Sequence, residues 1–309
     1  MTVLILIVGL VVLTLGAEFL VRGASSIAAR LGLSPLVIGL TVVAFGTSAP
    51  ELAVSLKAAL AGQGGIALGN IVGSNIFNVA AILGIAAMIC PLAVHLDVIR
   101  RDMPIMLGAS GLFVTFLLTG QRLERWEGMV LFLLIIVYVI RSVRVAGKEK
   151  NPEALVEFEQ PKSSITLSIV LTLAGFAMLV FGARIFVDSA VSIARSLGWS
   201  EAVIGLTIVA AGTSMPELAT SVVASLRRQT DIAIGNVVGS NIFNLLCIGG
   251  AAGALSPINS GALGWVDLGA MLLTSVILLP LMRSGFRLNR IEGGLLFGMF
   301  LLYLWLVWP

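Results

Sequence analysis

Glu51 and Glu217 stand 166 residues apart, each closing the same local sequence, Gly-Thr-Ser-Xaa-Pro-Glu, and each inside a long apolar stretch. An ionisable side chain at membrane depth is strongly unfavourable unless it is paired or lines a wet cavity. No Lys or Arg lies within a helical turn of either acid, so two facing carboxylates would have to share protons or hold cations. The residue before each acid is proline, Pro50 or Pro216. Proline has no N–H and pushes away the carbonyl four residues back, here that of Gly46 or Gly212, and irregular backbone of this kind is tolerated in a membrane only where it is buried in protein or lines a cavity. Freed carbonyls beside the hydroxyls of Thr47, Ser48, Thr213 and Ser214 and the two carboxylates make a set of hard oxygen ligands. Such a set suits Na⁺ and Ca²⁺, not zinc or copper.

A polar stripe follows each acid. Asn70, Ser74 and Asn78 are spaced four apart and share one helical face, and Asn236, Ser240 and Asn244 repeat the arrangement. Ser74, Asn78, Ser240 and Asn244 are the expected ion contacts, with Asn70 and Asn236 a further turn away. The competing use of such residues is packing: Asn and Ser hydrogen-bond between membrane helices, and Gly69, Gly73, Gly235 and Gly239 have the GxxxG spacing that brings helices close.

The elements that position these groups are dictated by solvent. Of the 309 residues, 58% are hydrophobic and 11% charged, against about 25% charged in a soluble domain, and the mean hydropathy is +1.08. Apolar runs of about 20 residues, the length of a membrane-crossing helix, recur throughout. The chain reads as an all-α polytopic membrane protein with ten transmembrane helices, near 2–22, 35–60, 64–90, 103–119, 126–143, 164–187, 201–225, 231–255, 266–283 and 290–308. The first run opens without a basic region or a small-residue cleavage site and is expected to be retained. Residues 144–163 form a hydrophilic linker between a first five-helix repeat, 1–143, and a second, 164–309. Lys and Arg gather at span ends, 14 of the 19 on one side, which predicts a cytoplasmic linker and both termini outside.

The same counts exclude other functions. The basic residues form no patch for nucleic acid. Cys90 and Cys247 both lie in apolar runs, too far apart for a CxxC site. The glycines before Ser74 and Ser240 lack the ending of a phosphate loop. A nucleophilic enzyme would need a base, and the sole histidine, His95, falls in a loop. No organic cofactor is implied, and no oligomer is required; the partners are membrane lipid and inorganic cations.

Residues 38–51 match 204–217 at 11 of 14 positions and residues 67–78 match 233–244 at 10 of 12, without a gap. Weaker agreement reaches the Arg-Xxx-Glu-Gly segments at 125–128 and 290–293, now shifted by one. Five spans per copy is an odd number, so the second copy must enter the membrane from the opposite face. Inverted repeats of this kind build secondary transporters, with the site at the bilayer midplane where the repeats meet.

The duplicated GTSxPE and GNxVGSNIFN segments resemble the two α-repeats of the sodium/calcium exchanger family, here 38–78 and 204–244, and the five-plus-five layout extends the resemblance over essentially the whole chain. It implies antiport of Na⁺ against Ca²⁺ by alternating access. It further implies that Glu51 and Glu217 are shared ligands, that Thr47 and Thr213 offer carbonyls, that Ser48, Ser214, Ser74 and Ser240 offer hydroxyls to Na⁺, and that the carbonyls of Ala44 and Ala210 complete the outer sodium positions. Many relatives have aspartate at one of the positions held here by Asn78 and Asn244, and potassium-dependent members carry it in the second repeat. Asparagine in both copies points to a potassium-independent exchanger of a prokaryotic inner membrane. The two remaining acids balance one Ca²⁺ or two Na⁺. A Ca²⁺/H⁺ antiporter using the same carboxylates is the alternative.

Overall fold

The computed structural model describes residues 2–148, 164–198, 210–259 and 263–307. Among these, the only extended segments are four two-residue strands; everything else regular is helix. Eight helices are long and apolar enough to cross a membrane, and a ninth crossing is a bent pair, Pro35–Thr47 and Ala49–Leu60, that turns by 47° at its break. The span expected over 201–225 is described from Ala210 on, as Ala210–Thr213 and Met215–Leu226; residues 199–209, like 149–163 of the linker, lie outside the described residues.

Two segments form the centre of the bundle. In an apolar 18-residue stretch of each helix, 78% of the residues are buried for Gly64–Ile89 and 94% for Thr230–Leu255, against 28% for Thr2–Leu31 and 11% for Arg290–Val307. This ordering follows from side-chain size and polarity: the central segments carry the Gly, Asn and Ser residues that must be kept from lipid, and the outer helices present Leu, Ile and Val.

The first and sixth spans are longer than their hydropathy suggests. They run over Thr2–Leu31 and Ile165–Ser196, past the expected ends at 22 and 187. A hydropathy window stops at Arg22, Ser25 and Ser26, but the helix continues because these groups find partners. Ser25 donates to Val21 O at 2.7 Å and to Gln229 Oε1 at 2.6 Å, Ser26 and Ser168 hydroxyls meet at 2.7 Å, and Arg227 Nε donates to Glu18 Oε2 at 2.9 Å. The two long helices lie against each other through glycine. A Cβ on Gly9 would stand 2.7 Å from Phe186 N, one on Gly16 2.9 Å from Leu179 N, and one on Gly182 2.8 Å from Leu13 N.

The repeat seen in the sequence reappears in pairs of contacts. Tyr138 donates to Asp102 and Tyr303 to Asp267, at 3.2 and 2.9 Å. The Arg-Xxx-Glu-Gly segments open two helices in one way: Glu127 accepts from Glu124 N and Glu292 from Asn289 N, both at 2.8 Å. The following glycine packs each helix on the opposite half, Gly128 on Gly250–Ala254 and Gly293 on Gly84–Met88. Strand β1 (Leu92–Ala93) pairs with β4 (Arg287–Leu288), and β2 (Arg122–Leu123) with β3 (Ile258–Asn259), both antiparallel. The 18-residue helix Met103–Gly120 separates β1 from β2, so at about 1.5 Å per residue the two ribbons lie at opposite ends of the bundle.

Glycine in the long-helix contact is therefore a packing requirement. Gly16→Leu is expected to lower the thermal unfolding temperature of the detergent-solubilised protein by several degrees. Gly108→Ala, on an exposed face with nothing within 4 Å of an added Cβ, is expected to leave that temperature unchanged or raised, with a stabilisation of up to about 1 kcal/mol, the helix preference of Ala over Gly.

Candidate cation site

Both acids sit one residue past a proline in the first turn of a helix, Glu51 in Ala49–Leu60 and Glu217 in Met215–Leu226. The helix starts afresh at Ser48 (φ −82°, ψ 7°) and Ser214 (φ −88°, ψ 10°) because the proline next but one cannot donate to the preceding turn. Each carboxylate thus lies at the positive end of a helix dipole, which favours an anion there. The acids are 1% and 0% exposed.

A serine in this position usually caps its own helix. Neither does so here. Ser48 Oγ donates across the molecule to Glu217 Oε1 at 2.8 Å, and Ser214 Oγ donates to Glu51 Oε1 at 2.7 Å. The exchange is reciprocal: the serine three residues before each acid holds the other acid. Two asparagines complete the crossing. Asn70 donates to Glu51 O at 3.2 Å and Ser55 Oγ at 2.9 Å, while its Oδ1 accepts from Thr213 Oγ1 at 3.2 Å. Asn236 donates to Glu217 O at 3.4 Å and Ser221 Oγ at 3.1 Å, while its Oδ1 accepts from Thr47 Oγ1 at 3.1 Å. With both ends of the amide engaged, Asn70 and Asn236 act as clamps between the acid-bearing helices.

The remaining groups are not engaged in this way. Among the described residues, eight buried side-chain N and O atoms have no hydrogen-bond partner, and six belong to residues singled out in the sequence: Glu51 Oε2, Glu217 Oε2, Asn78 Oδ1, Ser240 Oγ and both polar atoms of Asn244. An unpaired buried polar group costs about 1–3 kcal/mol, and five of these six atoms are oxygens able to accept, so a cation could satisfy them, whereas Asn244 Nδ2 is a donor. Ser74 Oγ lies 3.2 Å from Ser214 Oγ and so joins the Glu51 contact. Among the described residues no three His, Cys, Asp or Glu side chains come together, so the arrangement is two acids among neutral oxygens. The carbonyl of Ala44 accepts from Ser48 N at 3.0 Å and Thr47 Oγ1 at 3.3 Å. Ala210 opens the helix Ala210–Thr213.

The other sequence-derived residues are placed as follows. Gly235 and Gly239 admit close approach, an added Cβ meeting Leu36 O at 2.9 Å and Leu40 O at 2.6 Å, whereas one on Gly69 or Gly73 meets nothing within 4 Å among the described residues. His95 is exposed and its Nε2 lies 3.4 Å from Asp231. Two features were not anticipated. The helix widens into π turns at Phe77–Leu83 and Asn244–Ile248, so Asn78 and Asn244 both fall where a π turn begins, a deformation common at functional sites. Asn75, Asn241 and Thr220 are further buried polar residues of the centre, and the first two are the middle asparagine of the repeated Gly-Ser-Asn-Ile-Phe-Asn motif.

The family described as sodium/calcium exchanger protein matches residues 1–144 and 167–308. The chain is 40% identical to the putative antiporter CaxA of Alkalimonas amylolytica over 97% of each chain. It is 34% identical to the sodium/calcium exchanger MaX1 of Methanosarcina acetivorans, again over 97% of each. Among solved structures it is similar to the sodium-calcium exchanger NCX_Mj, with a TM-score of 0.85 and 30% identity over 100% of this chain and 98% of that one.

Removing either crossing hydroxyl leaves a buried carboxylate oxygen unpaired. Ser48→Ala and Ser214→Ala are each expected to destabilise the protein by about 1–3 kcal/mol, and by similar amounts, in thermal unfolding without added divalent cation. A loss confined to one serine would contradict the reciprocity.

Proposed function

Because the chain belongs to the sodium/calcium exchanger family, we propose that it exchanges Na⁺ for Ca²⁺ at a single site built on Glu51 and Glu217. Members of the family are transporters, not enzymes, and the chain is a multi-span membrane protein of cation/calcium exchange. The observation that carries the finer reading is the pair of half-satisfied carboxylates: one oxygen of each is held by a serine from the other repeat, and the second is buried and bare.

In this reading Ser48, Ser214, Ser74 and Ser240 hydroxyls, Asn78 and Asn244 amides and the carbonyls of Thr47, Thr213, Ala44 and Ala210 supply the neutral ligands. The use of the Ala44 carbonyl requires Thr47 or Ser48 to release it. Ca²⁺ needs six to eight oxygens and both charges, and Na⁺ needs fewer oxygens and less charge, so the two ions draw on one set of ligands and exclude each other. That competition is the coupling.

Alternating access would come from the two long helices rocking against the centre, to which they are joined by glycine contacts and a few polar ties. The inverted five-plus-five arrangement is supported by the ribbons: β1 and β3 occupy equivalent places in the two repeats yet belong to ribbons at opposite ends. The ribbons also group loops as the charge count does, since β1 pairs with β4 in the Arg-rich loop at 283–290. We therefore assign the side with 14 of 19 basic residues to the cytoplasm, leaving both termini outside, in a prokaryotic inner membrane. A relative of 37% identity is named an inner membrane protein, YrbG of Escherichia coli.

Two measurements test the assignment. Glu51→Gln and Glu217→Gln are each expected to reduce Na⁺-driven uptake of radioactive Ca²⁺ into proteoliposomes to background while the protein stays folded. Persistent flux in both variants would overturn the site, and uptake driven by a pH gradient without Na⁺ would overturn the choice of counter-ion. Ca²⁺ at a hundred times its Kd is expected to stabilise the unaltered protein by about 2.7 kcal/mol, and Glu51→Gln to remove that increment.

A further inference from the structure

The asparagines beside the π turns are bonded in one half and not in the other. Asn241 Nδ2 donates to the backbone carbonyl of Asn75 at 3.3 Å. A carbonyl can only accept, so this bond fixes the Asn241 amide with its nitrogen toward Asn75 and its oxygen outward. That oxygen accepts from Asn78 Nδ2 at 3.1 Å. The Asn78 amide is fixed in turn, and its own oxygen is left buried with no partner. Asn78 lies one turn beyond Ser74, the hydroxyl that meets the Ser214–Glu51 pair.

The repeat predicts a mirror of this bond, Asn244 donating to Asn75. It is absent. Asn75 Nδ2 instead donates to Ile71 O, one turn back in its own helix, at 2.7 Å, and Asn75 Oδ1, Asn244 Nδ2 and Asn244 Oδ1 are all buried without partners. These three atoms are the donor and acceptor of the missing bond and the oxygen it would have oriented.

We propose that Asn241 is a positioning residue that turns the Asn78 carboxamide oxygen toward the transported cation, and that Asn75 is its counterpart for Asn244, disengaged in this conformation. The inference rests on the cation site proposed above. Without the lock an amide can present its NH₂ as readily as its oxygen, and an NH₂ repels a cation. Asn241 therefore sets how well Ca²⁺ is bound without touching it.

The test uses the whole protein in liposomes and reads Na⁺-driven Ca²⁺ uptake. Asn241→Leu is expected to raise the KM for Ca²⁺ about tenfold with kcat within about twofold, the pattern of lost binding that is uniform along the reaction path. Asn78→Asp removes the need for the lock, because a carboxylate offers oxygen in either rotation. In that background Asn241→Leu is expected to add no further change in KM. A KM unchanged by Asn241→Leu in the unaltered protein, or an equal penalty in both backgrounds, as simple packing loss would give, overturns the proposal. Should the Leu variant not fold, Asn241→Ser in the same two backgrounds decides by the same comparison. Absence of Na⁺-driven flux in the unaltered protein would remove the underlying site. Flux that Glu51→Gln abolishes but Asn241→Leu leaves untouched would remove the positioning role alone.

Discussion

The structure is organised around two carboxylates kept in the middle of an apolar bundle without a basic partner among the described residues. Such a group would be excluded from a protein interior unless compensated. The compensation visible in the fold is partial by design of the elements themselves. A proline-forced helix start places each acid at a positive helix end, and a serine hydroxyl reaches one of its oxygens. The second oxygen of each remains bare. A fully satisfied acid would be a structural feature. A half-satisfied one leaves an acceptor free for a further source of positive charge, which in the function proposed above is the transported ion.

The second consequence lies in where the compensation comes from. Ser48 serves Glu217 and Ser214 serves Glu51; Thr47 reaches Asn236 and Thr213 reaches Asn70. The serine that holds each acid comes from the other repeat, so the proposed site is complete only when the halves are docked. Any movement that separates one half from the other along this seam changes the ligand set directly. Where the reciprocity fails, at Ser240 and Asn244 with no partners against Ser74 and Asn78 with them, the halves differ in hydrogen bonding although they agree in sequence. Two inverted copies of one motif cannot both face the same side of the membrane in the same way, and an asymmetry of this kind is what an inward or an outward state requires.

Much of this was legible in the sequence, because burial of charge in a hydrophobic run is a local property. Glu51, Glu217 and their prolines announce both the helix break and the chemistry, and the duplicated motif announces the architecture. The stripe of Asn70, Ser74 and Asn78 was readable as one helical face, but its division of labour was not: only tertiary contacts show Asn70 saturated as a clamp and Asn78 with a free oxygen. The π turns at Phe77–Leu83 and Asn244–Ile248 carry no distinct residue pattern, since widening a helix by one residue is set by what it packs against. The ends of the long helices were underestimated for the same reason. Arg22, Ser25 and Ser26 stop a hydropathy window, yet Ser25 and Ser26 are satisfied by residues from distant parts of the chain and Arg22 pairs with Glu18, which Arg227 also holds.

Charge number sets what the site can prefer. Two acids give a formal −2, neutral with one Ca²⁺ and neutral with two Na⁺, so both loaded forms can cross a low-dielectric region without a net charge. A further Na⁺ would leave the centre positive, and an unbalanced charge in so dry an environment is strongly unfavourable. Asn78 and Asn244 are the positions at which the family resemblance allows an acid, and amides there keep the count at two. Selectivity must then come from how many neutral oxygens are turned inward rather than from additional charge. An amide is the one neutral ligand that can present either an acceptor or a donor on rotation, so the bonds that fix its orientation become part of the ion's coordination energy. In the proposed site the binding properties would accordingly be distributed over Asn75 and Asn241 as well as over the oxygens that would touch the ion.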